Sequence, residues 1–574
     1  MSGFTTSGYD PPIFGVRQAP GKPGVRSMRS PTPVAVGLCL GSLALLLVSM
    51  RAWEFLCDDA FISFRYAANL AEHGSLSFNP TLTDAPPVEG YTNFLWVVAL
   101  AGGQAIGMAP PTFAPVLTRA CLVATIVFAV FLLRQLRRDT GEAVDRLTAA
   151  DLYAVPLLCV VPEAVVWSQS GLETAAATMG VVAAMRAWSS GRMVAAAAWT
   201  AAAALTRPDA LLPIGAFGLT WAAVRAWPAW REHGRALTRA LPWRRLAIAF
   251  AVFVVPVGAH LLWRHAYYGR WLPNTWAIKA SGQLLRETWG ADYVRAWASG
   301  VGLVYLAPLA LLVRPRHLQL LVPGACVVAY AWWVGGDFMA YGRFVHVATV
   351  CLWLTVGWVL ADARAPKRFA APLAHAPLVV ALALTVFHVQ RARERHAADR
   401  AKPTGWIDGR WEGVTAMDRF ARVGWAVGQW MHEHVPADTR LTVGAAGAVP
   451  YGSGLPTLDA YGLVDPELAT LPGVAPITGK YARPGHQLYA PPDHMKAFEA
   501  GLYCHVGYRG PTRASSRNIQ RGWGRGYTWA CIEPDPIASP TLPDGERLDV
   551  GFYCCRRPID QAFGPFGTSR GGAG

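Results

Sequence analysis

Long apolar runs, separated by short polar and arginine-rich segments, dominate the chain from residue 33 to residue 389. A membrane-spanning helix needs about 20 consecutive apolar residues, and several of these runs approach that length. The pattern predicts about eleven spans, at residues 33–50, 113–134, 149–166, 174–188, 192–206, 209–226, 246–263, 297–313, 317–334, 344–361 and 372–389. The apolar stretch 94–108 is shorter and contains Gly102 and Gly103, so we expect an interfacial or re-entrant helix there.

The composition also indicates a polytopic α-helical membrane protein. Of the 574 residues, 53% are hydrophobic and 16% are charged, which is too apolar for an ordinary soluble enzyme. The net charge of +15 comes largely from arginines between the apolar runs, and the sequence carries no signature of a nucleic-acid-binding module. We therefore expect membrane lipids, and no nucleic acid, as partners.

The basic segments predict the orientation of the chain, because cytoplasmic loops are enriched in Lys and Arg. Such segments lie before residue 33 and at residues 134–138, 231–245 and 364–368. With the N-terminus in the cytoplasm, eleven spans place everything after residue 390 outside it. Residues 1–32, rich in Gly, Pro and Ser, are predicted to be a disordered cytoplasmic tail. No small-residue cleavage site follows the first span, so we expect a retained anchor.

Beyond about residue 390 no run is long enough to span a bilayer, and Gly, Pro and charged residues become common. A helical pattern at 411–434 is followed by a strand-like segment at 440–444, which favours a small α/β unit. We therefore divide the chain into the tail 1–32, a transmembrane domain 33–389 with an outer-face loop 51–112, and a C-terminal soluble α/β domain 390–574.

Four cysteines fall in the predicted soluble domain, on the oxidising side of the membrane: Cys504, Cys531, Cys554 and Cys555. One or two disulfides among them are expected, although the sequence does not determine the connectivity. No ligand spacing typical of a metal site is present in the sequence.

Two adjacent carboxylates, Asp58 and Asp59, follow the first span, where a helix would emerge into the outer compartment. A charge at the membrane edge needs water, a partner or a function. The next residues fit an amphipathic helix with Asp58 and Arg65 on one stripe and Phe61 on another. We expect one stripe to contact lipid and the other to face a reactant. Alternatively, the two acids only cap the helix and interact with its dipole.

Five further segments combine carboxylates, amides and cations: 89–93, 168–174, 206–209, 271–279 and 335–343. In the predicted topology all of them fall on the same outer face as the acid pair. We therefore expect the six polar segments to form the walls of one site.

The order and spacing of these segments resemble the GT-C glycosyltransferases. More narrowly, the chain resembles the terminal β-(1→2) arabinofuranosyltransferases and the related flagellar motor-control membrane proteins. The segments that carry the resemblance are 58–66, 89–93, 171–174, 206–209, 272–275, 335–338 and 459–465. Together they cover roughly residues 50–490, and their combination is more specific than any one of them.

The resemblance implies an inverting-type membrane glycosyltransferase in the bacterial inner membrane. It would move a sugar, with arabinofuranose as a candidate, from a polyprenyl-phosphate donor to a glycan or lipid acceptor of the cell envelope. A carboxylate near the acceptor can take the proton of its hydroxyl, so we expect Asp58 or Asp59 to be the catalytic base, with Asp58 favoured. The other acid could orient the acceptor or hold a divalent cation, although the sequence requires no cofactor.

A departing lipid phosphate needs cationic groups near the membrane edge. Arginine and lysine are suited to this, and the candidates are Arg207, Lys279 and Arg343. Candidate ligands of the sugar or acceptor are Arg65, Glu89, Tyr91, Asn93, Glu173, Asn274 and Asp337. Alternatively, Arg207 and Arg343 only anchor the protein at the lipid headgroups.

Two other functional classes remain open at the level of sequence. A transporter would place charges at the bilayer midplane on broken helices, with an internal repeat, whereas these acids cluster at one face and the sequence shows no repeat. A non-catalytic membrane assembly or motor-control factor would keep the architecture without needing the acids for chemistry.

Overall fold

The computed structural model describes residues 31–569 of this mostly helical protein, apart from fifteen short gaps. The gaps are 84, 140–145, 227–230, 232–241, 281–288, 364–374, 404, 408–409, 475–476, 478–482, 505, 508–509, 512–527, 533–551 and 557–567. Residues 1–30, which contain nearly all of the predicted cytoplasmic tail, lie outside the described residues.

Eighteen α-helices occur in the described part of the chain. In chain order they are α1 (Pro33–Ala52), α2 (Asp58–His73), α3 (Phe94–Ala105), α4 (Pro110–Arg138), α5 (Val155–Val160), α6 (Pro162–Val165), α7 (Thr174–Ser189), α8 (Met193–Thr206), α9 (Leu211–Trp221), α10 (Trp243–Tyr268), α11 (Asn274–Ala280), α12 (Ala291–Gly300), α13 (Leu318–Trp333), α14 (His346–Asp362), α15 (Ala376–Arg400), α16 (Val414–His434), α17 (Ala448–Ser453) and α18 (Pro492–Ala497). Short 3₁₀ or π segments lie at Ala149–Asp151, Val166–Ser168, Pro208–Ala210, Ala222–Ala226, Leu303–Leu312, Pro315–His317, Arg343–Val345 and Leu468–Thr470.

Among the described residues, four helical segments are long and apolar enough to cross a membrane: α1, α4, α10 and Arg343–Asp362. A fifth is reached if α12 and Leu303–Leu312, which meet at 76°, count as one broken span. The span predicted at 297–313 is therefore broken into two helical segments. Gly302 has a left-handed backbone (φ +65°) that ends the helix there. The chain has the helices of a multi-pass membrane protein, and the count of eleven spans stays a prediction.

The structure also bears on the helices predicted at 149–166 and at 94–108. The predicted single helix at 149–166 is wrong, because the chain there forms a 3₁₀ turn followed by the short helices α5 and α6. Pro162 begins α6 and has no N–H to continue α5. At 94–108 the chain forms the 12-residue helix α3, which at about 1.5 Å per residue is too short to cross a bilayer.

The described residues of the C-terminal region form ten short strands. They are β1 (Trp406–Ile407), β2 (Trp411–Glu412), β3 (Leu441–Val443), β4 (Thr457–Asp459), β5 (Leu502–Cys504), β6 (Val506–Gly507), β7 (Gly510–Pro511), β8 (Thr528–Ile532), β9 (Phe552–Arg556) and β10 (Thr568–Ser569). Six of them form one sheet in the order β10-β8-β9-β5-β3-β4, in which β3 is parallel to both β4 and β5. Two-residue strands β1 and β2 form a separate antiparallel pair.

Helix α16 packs on this sheet through an apolar stripe. Val423 and Val427, four residues apart, are buried against Leu441, Val443 and Leu502 of the strands. The helix predicted at 411–434 and the strand predicted at 440–444 are confirmed as α16 and β3. The boundaries of the three predicted domains stay a prediction.

The start of α16 is fixed by the end of α15. Both carboxylate oxygens of Asp399 accept hydrogen bonds from first-turn amides of α16, from Val414 N at 2.9 Å and from Thr415 N at 2.8 Å. These amides have no partner within their own helix, so an acidic side chain at this point stabilises it. The contact ties α15 to the C-terminal region.

The cysteines expected to form disulfides are only partly described. Cys504 is a buried free thiol in β5. The side chains of Cys531, Cys554 and Cys555 lie outside the described residues, so the disulfide pairing stays a prediction.

Helix α2 lies between the apolar helices and the C-terminal region. The amphipathic helix predicted after the acid pair is confirmed, but the expected lipid-facing stripe is wrong. Phe61 and Phe64 are fully buried, and both rings contact the ring of Tyr451 in α17, with centroids 5.5 and 6.1 Å apart. The apolar stripe of α2 therefore joins two parts of the protein.

Candidate active site

A cavity of about 270 Å³ opens where the N-terminus of α2 meets the ends of strands β3 and β4. Its polar lining includes Asp58, Asp59, Glu412, Asp459, Arg483 and His486. Its apolar lining includes Ile62, Phe338, Met339, Trp406, Met417 and Phe420. In parallel sheets, ligands bind outside the carboxyl ends of the strands, and the ends of β3 and β4 form one wall here.

Asp58 is held by the C-terminal region. Its Oδ1 accepts a hydrogen bond from the amide of Ala448, the first residue of α17, at 2.8 Å. The preceding residue, Gly447, allows this approach, because an added Cβ would lie 2.2 Å from the Asp58 carbonyl oxygen and 2.4 Å from its Oδ2. The turn between β3 and α17 therefore fixes the orientation of the carboxylate.

The same surroundings change the acidity of Asp58. Burial raises its pKa to about 7, and the negative charges of Asp59, Glu412 and Asp459 act in the same direction. The Ala448 amide favours the ionised form and partly opposes this rise in pKa. A carboxyl group with a pKa near neutral pH is suited to accept a proton during a reaction.

Asp459, at the end of β4, is a second buried acid of the cavity. Burial raises its pKa to about 6, although backbone amides of the following loop oppose the rise. Its Oδ1 accepts from Tyr461 N at 2.9 Å and its Oδ2 from Leu463 N at 2.7 Å. Asp459 therefore holds the loop that brings Tyr461 to the cavity wall.

Asp59 faces a buried arginine. Nη1 of Arg343 lies 3.5 Å from Asp59 Oδ2, and Nε of Arg343 donates to Asp337 Oδ2 at 2.8 Å. The turn before Asp337 needs glycine, because Gly336 has φ +70° and a Cβ there would lie 2.6 Å from Tyr293 Cβ. The structure thus brings the segment 335–343 against the acid pair.

Arg207 belongs to a neighbouring network. Its guanidinium donates to Glu173 Oε1 at 2.9 Å and to both carboxylate oxygens of Asp209 at 3.0 and 2.9 Å. Glu173 Oε2 accepts from Asn93 Nδ2 at 2.8 Å, and Asn93 also donates to Ser63 of α2 at 3.0 Å. Three of the predicted polar segments are therefore linked to α2 by one chain of hydrogen bonds.

The networks of Arg207 and Arg343 meet at Phe344. Both guanidinium groups lie over its ring, at 5.3 and 5.2 Å from the centroid. Both arginines also line a second, much smaller cavity of about 30 Å³. The side chain of Lys279, the third predicted phosphate ligand, lies outside the described residues.

Two predicted ligands of the sugar or acceptor lie in the protein interior. Glu89 is 2% exposed, and its Oε2 lies 2.7 Å from Nε of Arg264 in α10. The hydroxyl of Tyr91 contacts that of Tyr268 at 3.1 Å. Neither Glu89 nor Tyr91 lines the larger cavity. The sequence pattern did not single out Arg264 as the partner of Glu89.

Asn274 and Arg65 hold the C-terminal region in place. Asn274 Nδ2 donates to the carbonyl oxygens of Gly462 at 2.8 Å, Leu463 at 3.1 Å and Asp465 at 2.9 Å. Arg65 donates through Nη2 to the carbonyl oxygen of Leu455 at 2.8 Å. These side chains therefore position the loop and helix next to the cavity rather than line it.

Three cavity residues named above were not singled out from the sequence: Trp406, Glu412 and Arg483. Asp459 lies in the segment 459–465, which carries part of the resemblance, but the sequence suggested no role for it. It lies at the carboxyl end of β4, where parallel sheets bind ligands, but the sequence pattern predicted no strand there. No pattern in the sequence pointed to Arg483, because it lies in a turn-rich stretch.

Among the described side chains, no group of three or more His, Cys, Asp or Glu is arranged to hold a metal ion. Asp58 and Asp59 both line the cavity, and carboxylate oxygens are suitable ligands of a divalent cation. Their role as metal ligands stays a prediction.

Comparison with known proteins gives one family match and several similar structures. Residues 413–515 match the model of a domain of unknown function, DUF8728. No curated protein matches the sequence.

Similar solved structures include the crystal structure of ArnT from Cupriavidus metallidurans bound to undecaprenyl phosphate. It is 13% identical with a TM-score of 0.44, over 74% of this chain and 85% of that chain. The crystal structure of the same protein in the apo state is also 13% identical, with a TM-score of 0.43, over 74% of this chain and 86% of that chain. The cryo-EM structure of the arabinofuranosyltransferase AftD from Mycobacteria is 13% identical, with a TM-score of 0.45, over 92% of this chain and 40% of that chain. An arabinofuranosyltransferase is thus among the similar structures.

Proposed function

We propose that the protein is a membrane glycosyltransferase of the inverting type. It transfers a sugar from a polyprenyl-phosphate donor to a glycan or lipid acceptor of the cell envelope, at the outer face of the inner membrane. The observation that carries the proposal is the position of Asp58 and Asp59 in one cavity, with an amide bound to the first and Arg343 beside the second. A cavity that offers a base and a nearby cation suits transfer with an anionic leaving group.

In this reaction Asp58 is the base. As the acceptor hydroxyl attacks the anomeric carbon, its proton passes to the Asp58 carboxylate. The bond between the anomeric carbon and the phosphate oxygen breaks, and its electron pair leaves with the polyprenyl phosphate. A single displacement of this kind inverts the anomeric configuration. A pKa of about 7 leaves a substantial fraction of Asp58 ionised at neutral pH.

Arg343 contributes positive charge beside the acids. Its contacts with Asp337 and Asp59 hold the second carboxylate in place, so Asp59 is suited to orient the acceptor. Arg207 is paired with Glu173 and Asp209, and its proposed contribution to the site is electrostatic rather than direct contact with the donor. Asn93 supports the same network from the opposite side.

Arabinofuranose is the donor sugar proposed first, because the sequence segments resemble those of arabinofuranosyltransferases. The orientation proposed with it places the N-terminus in the cytoplasm and the C-terminal region outside. The cavity then faces the compartment in which envelope glycans are assembled.

The proposal is tested by transfer assays in membranes that contain the full chain. The donor is polyprenyl-phosphate arabinofuranose, with other polyprenyl-phosphate sugars in parallel, and an arabinan oligosaccharide is the acceptor. We expect Asp58→Asn to lower transfer by at least about a hundredfold, the usual contribution of a general base. Asp438→Asn, at an exposed position in the same region, is the matched control and should leave transfer unchanged. Unchanged transfer in both Asp58→Asn and Asp59→Asn would contradict the proposal.

A further inference from the structure

Arg483 supplies a positive charge to a cavity wall built by the C-terminal region. Its guanidinium lies over the rings of Phe338 and Trp406, at 4.9 and 5.1 Å from their centroids. Within the part of the chain that the structure describes, it forms no ion pair with a carboxylate. This distinguishes it from Arg207 and Arg343, whose N–H groups already donate to acidic side chains.

The charges around the cavity are unevenly distributed. Four carboxylates line it, those of Asp58, Asp59, Glu412 and Asp459. An anionic group that enters the cavity is repelled by these acids and attracted to the guanidinium of Arg483. Charge alone therefore gives a substrate one favoured orientation, with its anion at Arg483 and its neutral hydroxyls toward the acids.

We propose that Arg483 binds the phosphate of a prenyl-phosphate donor in this cavity. The inference rests on the proposed function and deepens it, because it names the side chain that orients the donor. The planar guanidinium can donate two parallel hydrogen bonds to a phosphate. Stacking on Phe338 and Trp406 restricts its rotation, so less conformational freedom is lost on binding.

The apolar lining suits the remainder of such a ligand. Phe338, Met417 and Phe420 line the same cavity and offer apolar surface to the first isoprene units. Phe338 therefore contacts the arginine and also lines the path of the lipid carbons. When the phosphate departs with greater negative charge, its hydrogen bonds to a guanidinium become stronger.

Binding of farnesyl phosphate to the purified full chain, measured by isothermal titration calorimetry, tests the inference. We expect Arg483→Gln to weaken binding at least tenfold, and Arg483→Lys, which keeps the charge but loses the fork, to give an intermediate loss. Farnesol, which lacks the phosphate, should bind the wild type and Arg483→Gln equally. Arg440→Gln is the matched control, because Arg440 also stacks on a ring of the same region, that of Phe498 at 5.4 Å, but does not line the cavity.

The possible outcomes separate this inference from the proposed function. Unchanged farnesyl phosphate binding in Arg483→Gln, or none in the wild type, overturns the role of Arg483 even if sugar transfer is observed. Equal affinity for inorganic phosphate and farnesyl phosphate overturns the lipid part of the inference. If binding depends on Arg483 while no polyprenyl-phosphate sugar supports transfer, the phosphate site stands and the proposed function fails. A melting temperature equal to that of the wild type shows that each variant is folded.

Discussion

The carboxylate of Asp58 accepts a hydrogen bond from the amide of Ala448, a residue 390 positions later in the chain. The acid belongs to the first helix after the N-terminal apolar helix, and the amide belongs to the C-terminal sheet region. The proposed base is therefore oriented by the C-terminal region and not by the apolar helices.

Gly447→Ala should displace the carboxylate of Asp58 while leaving every charged side chain of the cavity in the protein. A Cβ at this position would overlap both the backbone carbonyl and the carboxylate of Asp58, so a rotation of the side chain alone would not remove the clash. We expect kcat for sugar transfer to fall at least tenfold, about the cost of a misoriented base, with little change in KM for the donor. Gly405→Ala, where an added Cβ meets nothing within 4 Å, is the control. Equal kcat in the two variants would refute the positioning role.

The pH dependence of transfer should report the ionisation of Asp58. The base is active when ionised, and its pKa is raised to about 7, so kcat/KM should rise with pH up to about 7 and then level off. Removing the negative charge of Glu412 favours ionisation of Asp58, so Glu412→Gln should move this limb to lower pH. Glu433→Gln, at an exposed position, should leave the profile in place. A shift of the limb to higher pH in Glu412→Gln would contradict the assignment.

Arg343→Met should destabilise the protein as well as lower transfer. The substitution leaves Asp337, which is 2% exposed, without its ion-pair partner. Removing one member of a buried pair typically costs about 3–5 kcal/mol. Thermal unfolding in detergent should therefore show a lower melting temperature. In the double variant Arg343→Met with Asp337→Leu much of that stability should return without activity, and recovery of activity would exclude Arg343 from the site.

Asn274→Ala should loosen the loop that follows Asp459. The amide of Asn274 donates to three carbonyl oxygens of this loop, and each buried acceptor left unpaired costs about 1–3 kcal/mol. Limited proteolysis should cut the loop faster in the variant, and KM for the substrates should rise. Gln390→Ala, which removes an exposed amide bonded to Glu394, is the control. Unchanged cleavage of the loop would show that other contacts hold it.

A reporter fused after residue 574 tests the predicted orientation. Because the arginine-rich segments are expected in the cytoplasm, alkaline phosphatase at this position should be active and a cytoplasm-dependent fluorescent protein should be dark. The opposite pattern would place the cavity in the cytoplasm, where the proposed acceptors are not found.

The sequence predicted the charged side chains near the apolar runs better than the part of the site that the C-terminal region supplies. Asp58, Asp59, Asp337 and Arg343 were found because acidic and basic side chains at the ends of apolar runs are costly without a partner or function. The amide of Ala448 could not be found in this way, since every residue carries a backbone amide. Its role depends on a contact over 390 positions that no local pattern encodes.

The roles of Asn274 and Arg65 show a second limit of the sequence. Amide and guanidinium groups that could bind a sugar hydroxyl can equally donate to backbone carbonyl oxygens. In the structure both do so, against the segment that follows β4 and the turn after α17. Similarly, the apolar stripe of α2 has the same pattern whether it faces lipid or Tyr451, so only the tertiary structure distinguishes the two.

The contact between α2 and α17 also has a consequence for biosynthesis. Ribosomes make the chain from its N-terminus, so Asp58 emerges long before the strand and turn that supply its amide partner. Until then the acid lacks Ala448, Glu412 and Asp459, which contribute to its pKa in the folded protein. Under the proposed function, Asp58 therefore becomes an oriented base only after the segment that contains Ala448 has been translated and has folded against α2.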